Sequence, residues 1–377
     1  MLHSATCIAP PVIRAARFVL SLGLLVLAAC EGRPPASQPA SQPAASDPEL
    51  AKLAPTRPLG VPTGTFLDRA AGSEIRLVSY NVSWNSIFPA VNPRRAAKFA
   101  HIVQALDPDV LALQEIGMHP QERGRAGARK RTAQDVLELM AVVRPLPGGA
   151  VWHAWQGSDA VIVSRYPLKM TARAMNPPGE RDLALALVDL PDDRFKCDLY
   201  VLDNHFKCCD ATKNDPLRQQ QADALVAWLR DARTAGGNID LPAGTPFVVA
   251  GDLNIVGGFQ PVQTLVTGDI QDEARYGPDA APDWDDTPLT DAHPRHNVTG
   301  PEDWTWRDDR SNFKPGRLDF VIYSDSVLEA VQTFALDTTS MSPDDLKAAG
   351  LETFDVCQDE VGQAYDHLPL VADFRTK

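Results

Sequence analysis

The chain has 377 residues, with 36 Lys and Arg against 49 Asp and Glu, and a formal charge of −13. That acidity argues against a general affinity for polyanions, while leaving room for a local cationic site. Roughly 300 residues of ordinary composition follow a biased N-terminal stretch, enough for one large domain or two small ones, and no internal repeat is visible.

At the N-terminus, Arg14 and Arg17 precede the apolar run FVLSLGLLVLAA. The run is short of the ~20 apolar residues that a membrane-spanning helix needs. Charge, apolar run and small residues in that order predict an export signal over 1–29. The tetrapeptide LAAC (27–30) resembles the lipobox of bacterial lipoproteins, which implies cleavage before Cys30 and lipidation of its thiol. The expectation is an exported bacterial lipoprotein held to a membrane through Cys30. Glu31 in place of Asp gives no inner-membrane retention signal, so the outer membrane or cell surface is favoured. Residues 30–72, rich in Pro, Ala, Ser and Gln through EGRPPASQPASQPAAS, read as a semi-extended tether that cannot bury a core. The folded, catalytic part is expected over 73–377.

Within it, short apolar runs bounded by Pro, Gly, Asp or Asn predict strands over 75–82, 110–116, 160–164, 183–190, 199–206, 247–255, 318–324 and 368–374. Apolar residues at helical spacing predict helices over 93–106, 132–144 and 215–233. Thr132 and Asp135 have the spacing of an N-terminal cap for the second of these. Strands mixed with helices in one long domain suggest two sheets packed together with helices outside.

The strands end in an unusual way. Asn81 closes the first and Glu115 the second, His205 closes the fifth, and Asp252 and Asn254 close the sixth. Asp319 opens a late strand, and Asp366-His367 stand just before the last. Residues i and i+2 of a strand share a face, so Asp252 and Asn254 should project side by side. A lone Asp at a strand end is ordinarily a turn residue, but so many strands ending on the same groups point to one polar site. Burying such groups costs free energy unless hydrogen bonds or a metal compensate. Carboxylates, carboxamides and imidazoles together suit hydrolysis of a phosphoester with Mg²⁺.

The stretches SYNV, LALQEI, DNHF, VVAGDLNI, GRLDFVIYS and YDHLPLVADF, with LTDAHP and WTW among them, resemble in order the endonuclease/exonuclease/phosphatase superfamily, across about 75–376. The resemblance implies an α/β fold: a four-layer α/β sandwich, two mixed β-sheets packed face to face with helices outside, as in deoxyribonuclease I. It implies Glu115 as the main carboxylate ligand of a divalent metal, Mg²⁺ with Mn²⁺ or Ca²⁺ as alternatives, with Asn81 and Asp366 in the same shell. Asp252 would take a proton from, or orient, the attacking water. Asn254 would donate to a phosphate oxygen, with Asn81 and His205 also facing the phosphate. His367 would stand by the phosphate with Asp319 on its other nitrogen. His205 would be a second imidazole, oriented by either Ser158 or Asp159. The presence of His205 argues against an abasic-site repair enzyme.

The expected substrate is a phosphoester, with nucleic acid among the candidates. The stretch 117–135 carries Arg123, Arg125, Arg129, Lys130 and Arg131, either a polyanion grip beside the metal ligand or a solvated loop. A sphingomyelinase-like phospholipid phosphodiesterase or a phosphatase is the rival reading, for which SWNSIF (83–88) would be a short membrane-facing element. A catalytically idle binding module would show a broken constellation, and here each position is filled. The acidic stretch 272–291 reads as a solvated loop in preference to a Ca²⁺ site. Cys197, Cys208, Cys209 and Cys357 in an exported protein favour a disulfide of undetermined pairing over zinc, for which no CxxC or HxxxH supports a site. No protein partner is indicated.

Overall fold

A computed structural model describes residues 48–119, 121, 129–172, 181–209 and 211–377. The export signal, Cys30 and the first part of the tether lie outside the described residues, as do Arg123 and Arg125. In chain order the strands begin with β1 (Ile75–Asn81), β2 (Val110–Gln114), β3 (His153–Gln156), β4 (Val161–Ser164), β5 (Leu168–Ala172), β6 (Ala184–Val188) and β7 (Leu199–His205). They continue with β8 (Phe247–Asp252), β9 (Thr290–Asp291), β10 (Trp306–Asp308), β11 (Asp319–Tyr323), β12 (Leu328–Ala335), β13 (Ala364–His367) and β14 (Leu370–Thr376). The helices are α1 (Pro48–Ala51), α2 (Pro93–Leu106), α3 (Ala133–Val143), α4 (Ala211–Ala232), α5 (Gln260–Thr267), α6 (Glu273–Tyr276) and α7 (Pro343–Ala349). None of the described helices is long and apolar enough to cross a membrane.

Two six-stranded sheets run in the orders β12-β14-β1-β2-β4-β3 and β5-β6-β7-β8-β11-β9, and β10 with β13 makes a separate two-stranded ribbon. Each large sheet is mixed, with one parallel pair at its centre: β1 with β2, and β7 with β8. Side-chain alternation explains the layering. In β6, Ala184, Ala186 and Val188 join the core shared with the first sheet, whereas Leu185 and Leu187 join Leu225, Val226 and Leu229 of α4 in a second core. Small residues thus let the sheets approach, and large ones fill the space under the helices. Helix α2 covers the exposed face of the first sheet through Phe99, Ile102, Val103 and Leu106. This is the α/β sandwich of two mixed sheets that the sequence implied.

Parallel neighbours need a crossover, and both crossovers are helical: α2 returns the chain from β1 to β2, and α4 from β7 to β8. Both central pairs therefore point their C-terminal ends to the same end of the sandwich, where open α/β sheets place their ligands. Register completes the alignment, with Asn81 opposite Gln114, His205 opposite Asp252, and Asp252 opposite Asp319.

Several expectations change. Residues 48–72 are not free tether: Leu53 and Leu67 are buried, Phe66 packs edge-on against Phe334 at 5.2 Å, and Leu67 O accepts from Arg76 Nη1 at 2.7 Å. Their Pro-rich surroundings hide these few apolar anchors. SWNSIF is no membrane element, because Ile87 and Phe88 are in the core. The expected disulfide is absent: Cys197, Cys208, Cys209 and Cys357 are free thiols. Among the described residues, the sulfurs in contact are those of the adjacent Cys208 and Cys209, 2.9 Å apart. Cys357 lies buried in the main core. Thr132 and Asp135 form the expected capping box on α3. Asp135 also takes Arg129 and, at 3.2 Å, Arg131, which lies over the Phe88 ring at 4.6 Å. Two of the five cations counted as a polyanion grip are therefore engaged in the cap.

Candidate active site

The strand ends converge because the backbone leaves the strands early. The second and sixth predicted strands ran to 116 and 255, but β2 stops at Gln114 and β8 at Asp252. Glu115 has φ 68° and Asn254 φ 51°, left-handed values that cost a non-glycine residue energy and turn its side chain off the strand direction. Asp366 has φ 61° as well. Asp252 and Asn254 do lie side by side, through a turn and not the pleat, with Asn254 N donating to Asp252 Oδ1 at 2.8 Å. Gly251 is needed here, since a Cβ on it would meet Asn204 O at 2.0 Å.

Asp252 Oδ2 is the hub. The amides of Asn81 and Asn254 each donate to it at 3.0 Å. His205 Nε2 and His367 Nε2 each stand 3.6 Å from it. Both imidazoles are held from behind: His205 Nδ1 by Asp159 Oδ2 at 3.1 Å, His367 Nδ1 by Asp319 Oδ2 at 2.8 Å. Such carboxylates fix the tautomer and leave Nε2 for chemistry. Of the two candidates for orienting His205, the residue is Asp159. Ser158 instead receives Asp182 N. Thr305, the centre of WTW, donates to the same Asp319 oxygen at 2.6 Å.

Burial alone would lower the His367 imidazole, but the charges of Asp319 and Asp252 and the hydrogen bond it donates to Asp319 hold it well above its ordinary value. Burial pushes the Asp319 carboxyl up while the His367 charge pulls it back, so the pair carries one proton, which we place on the imidazole. Burial would also raise Asp159, yet His205 and then Arg181 outweigh it and keep that carboxylate ionised.

Glu115 differs from these paired acids. Burial raises it from 4.5 to about 7, and the charges of Asp366 and Asp252 add to the shift against the opposing pull of His205 and His367. Its Oε2 accepts Trp84 N at 2.8 Å, and its Oε1 lies 3.9 Å from His205 Nε2. Glu115, Asp366 and Asp252 are thus close carboxylates that repel one another, a donor set suited to a hard divalent cation. Asp252, Asp319 and His367 also place one ligand atom each within 4.8 Å. In that group Asp319 Oδ2 is already taken by His367 and Thr305, so it is a hydrogen-bonded dyad beside Asp252 and a poorer seat for a hard ion.

Every residue expected at the site is there, with some partners changed. Asn81 donates to Asp252 and accepts Ser83 N at 3.0 Å, so it orients the carboxylate. Asn254 directs its amide to Asp252 and, at 3.2 Å, to Phe206 O. Asp366 and His367 belong to their own strand β13, opposite Arg307 and Trp306 of β10, and not to the approach to the last strand. Gln358 bonds both Asp366 and Ser83. Gln358, Thr305, Trp84 and Arg181 were missed, since none lies at a strand end. WTW contained the only trace of Thr305. The acidic stretch 272–291 is structural: Asp283 accepts Ser326 N at 3.0 Å, and Asp272 caps α6.

The sequence profile of the Endonuclease/Exonuclease/phosphatase family matches residues 78–339. Among solved structures, ANGEL2, a 2′,3′-cyclic phosphatase, aligns at a TM-score of 0.50 and 16% identity over 82% of this chain and 97% of that one. A Bacteroides vulgatus endonuclease/exonuclease/phosphatase aligns at 0.48 and 14% over 80% and 99%, and the human Nocturnin catalytic domain at 0.46 and 14% over 82% and 97%. No curated protein matches. With two mixed sheets, two Asp-backed histidines on one carboxylate and a profile match over most of its length, the chain belongs to the endonuclease/exonuclease/phosphatase family of divalent-metal-dependent phosphoester hydrolases.

Proposed function

We propose that the protein is a phosphodiesterase, most closely a nuclease, acting on a phosphoester outside the cytoplasm. The observation that carries this reading is the pair of imidazoles whose Nε2 atoms flank one Asp252 oxygen at 3.6 Å. Glu115 and Asp366 would hold the metal, with Asp252 beside them, and Mg²⁺ is the ion we assign. When bound, the ion supplies charge stabilisation for phosphate oxygens. Asp252 takes a proton from the attacking water as the oxygen–phosphorus bond forms. His367, held as imidazolium, faces the phosphate oxygens and stabilises their growing charge. His205 lies on the other side of Asp252, with its Nε2 turned to the same place. The bond from phosphorus to the leaving oxygen then breaks, and an imidazolium or water returns a proton to that oxygen. The backing carboxylates Asp159 and Asp319 prevent either ring from turning away.

The test is a panel of plasmid DNA, RNA, sphingomyelin, inositol phosphates and bis(p-nitrophenyl) phosphate with Mg²⁺, Mn²⁺ and EDTA. Turnover of nucleic acid with metal, abolished by EDTA, is expected; turnover confined to phospholipid or to monoesters would overturn the nuclease reading. We also infer that the chain is exported and lipidated on Cys30, a reading supported by the apolar run and LAAC. Metabolic labelling with a fatty acid should mark the wild type and not Cys30→Ser, and equal labelling of both would refute it.

A further inference from the structure

Cys208 and Cys209 follow closely on His205, and the reaction makes no use of them. Their sulfurs lie 2.9 Å apart, with the Cys209 thiol donating to Cys208 Sγ. Cys209 is exposed and Cys208 half-buried, so the pair is open to solutes. Cys209 has φ 63°, a left-handed value that a non-glycine residue keeps only where its surroundings hold it. Two side chains of α4 do so. Asn214 Nδ2 donates to Cys208 O at 2.8 Å and Cys209 O at 3.3 Å, and Arg218 Nη1 donates to Lys207 O at 2.8 Å and Cys209 O at 3.1 Å.

The same clamp reaches the catalytic groups from two sides. Phe206 N donates to Asp252 O at 2.9 Å, and Phe206 O receives the Asn254 amide at 3.2 Å. The backbone between His205 and the cysteines is thus threaded through the site. Arg218, fully buried, also bonds Asp215 Oδ1 through Nε at 3.1 Å. The other Asp215 oxygen accepts Gly258 N at 2.9 Å, in the loop that follows Asn254. A change of backbone at Cys208 and Cys209 therefore bears on both the His205 and the Asn254 loops.

Adjacent Cα atoms stand ~3.8 Å apart across a trans peptide, less than the ~4.4–6.8 Å that a relaxed disulfide spans. A bridge between neighbours is therefore strained and readily reduced, as a regulatory disulfide is and a structural one is not. It also closes a small ring through the shared peptide, which must twist away from its partners on α4. We propose that Cys208 and Cys209 are a reversible thiol–disulfide exchange site for a small-molecule disulfide, whose closure loosens the loop behind His205. Cys208 Sγ, as thiolate, attacks one sulfur of the external disulfide, whose S–S bond breaks to release a first thiolate. Cys209 then gives up its proton and attacks Cys208 Sγ, and the second thiolate leaves. Two electrons and two protons pass from the pair, and the external disulfide becomes two thiols. The Cys209 thiol is pushed up to about 11, first by burial and then by its bond to Cys208, so it keeps its proton until the mixed disulfide has formed.

The probe is oxidised glutathione, with the products mapped by alkylation and peptide mass. Wild type should lose two titratable thiols to a bridge within one peptide, and dithiothreitol should restore both. Cys209→Ser should stop at a stable glutathione adduct on Cys208, and Cys208→Ser should react at least about tenfold more slowly. Amide exchange at Phe206 and Lys207 should quicken in the bridged form. Turnover of bis(p-nitrophenyl) phosphate, an arm that rests on the phosphodiesterase reading, should fall about fivefold in kcat on bridging and recover on reduction. The double variant Cys208→Ser/Cys209→Ser should keep the reduced wild-type rate and ignore oxidised glutathione. Two thiols left unreacted at Cys208 and Cys209, or a bridge from either to Cys197, would overturn the proposal. So would a bridged form with unchanged amide exchange or unchanged kcat, or an inhibition that the double variant shares. Failure of the wild type to cleave the diester would strike the phosphodiesterase reading, and thiol mapping with amide exchange would still decide the pair.

Discussion

The two ends of the sandwich treat buried charge in opposite ways. At the end where β1 begins, Arg76 meets Asp373 through Nε at 2.6 Å and Nη2 at 2.7 Å, and its Nη1 donates to Leu67 O and Leu106 O. Asp109 accepts Arg76 N, and Arg69 bonds it from the rim. Every charge there has its complement. At the end where β1 finishes, Glu115, Asp252 and Asp366 gather with two imidazoles among them, and Glu115 is raised to about 7. The same strand thus begins in a neutralised ion pair and ends in a field where the carboxylates outweigh the positive charge around Glu115. The first arrangement holds the sheets to the N-terminal segment, and the second is one that a divalent cation and a phosphate would relieve.

Breaking the contrast at the stable end should have the largest effect. Arg76→Met leaves Asp373 buried without its partner, with both side chains almost inaccessible. A loss of about 3–5 kcal/mol of stability is expected, read by urea or thermal unfolding, with unchanged activity per folded molecule. At the other end the effect should fall on chemistry. Asp252→Asn and His367→Ala should each lower kcat at least ~10²-fold, about 2.7 kcal/mol; Asp252→Asn should leave the unfolding temperature unchanged or higher, whereas His367→Ala, which strands the buried Asp319, should lower it. Wild-type rates in either would remove it from the mechanism.

Glu115 gives an intermediate test with a definite sign. Its folded value of about 7 lies above the ordinary 4.5, so its contribution to stability is complete below 4.5 and is lost as pH rises through 7. The side chain keeps 16% of its surface open, so the loss is placed between about 1 and 3 kcal/mol. Metal-free wild type should therefore lose stability across that window, Glu115→Gln should not, and divalent metal should restore only the wild type. A flat wild-type profile would show that the carboxylate is better solvated than its position implies.

The smallest effect belongs to a buried acid of another kind. Gln114 Nε2 donates to Asp203 Oδ1 at 2.6 Å between the sheets, and burial drives the Asp203 carboxyl well above its usual range, against the pull of Gln114. Burial thus favours its neutral form, so Asp203→Asn should change stability by less than about 1 kcal/mol near neutral pH and leave kcat within a few-fold. A large loss of activity would mean that Asp203 carries a charge into the reaction.

Much of the site was legible because strand ends are easy to find. Asn81, Glu115, His205, Asp252, Asn254 and Asp319 could be picked out as polar residues interrupting apolar runs. Their convergence followed from the two parallel pairs, which only the structure revealed. Partners were harder. Asp159 competed with Ser158 until side-chain geometry separated them, and Arg181, Thr305 and Gln358 reach the site from loops, where no periodicity marks a direction. Left-handed backbone at Ser83–Asn85, Glu115 and Asp366 is equally invisible in composition, because nothing about a Trp or a Glu announces a positive φ. Leu53, Phe66 and Leu67 were hidden by the prolines around them, so the packed region begins well before residue 73. The two-stranded ribbon that carries Asp366 and His367 escaped notice because each of its strands is only three or four residues long.

The central claim is that the unneutralised carboxylates around Glu115 are a metal seat, distinct from the Asp319–His367 dyad. Calorimetric titration of the metal-free protein with Mg²⁺ tests it directly, comparing wild type, Glu115→Gln and Asp319→Asn. The expected result is one site in the wild type, lost in Glu115→Gln and kept within a few-fold in Asp319→Asn. Binding that survives in Glu115→Gln and disappears in Asp319→Asn would move the metal to the dyad and contradict the assignment.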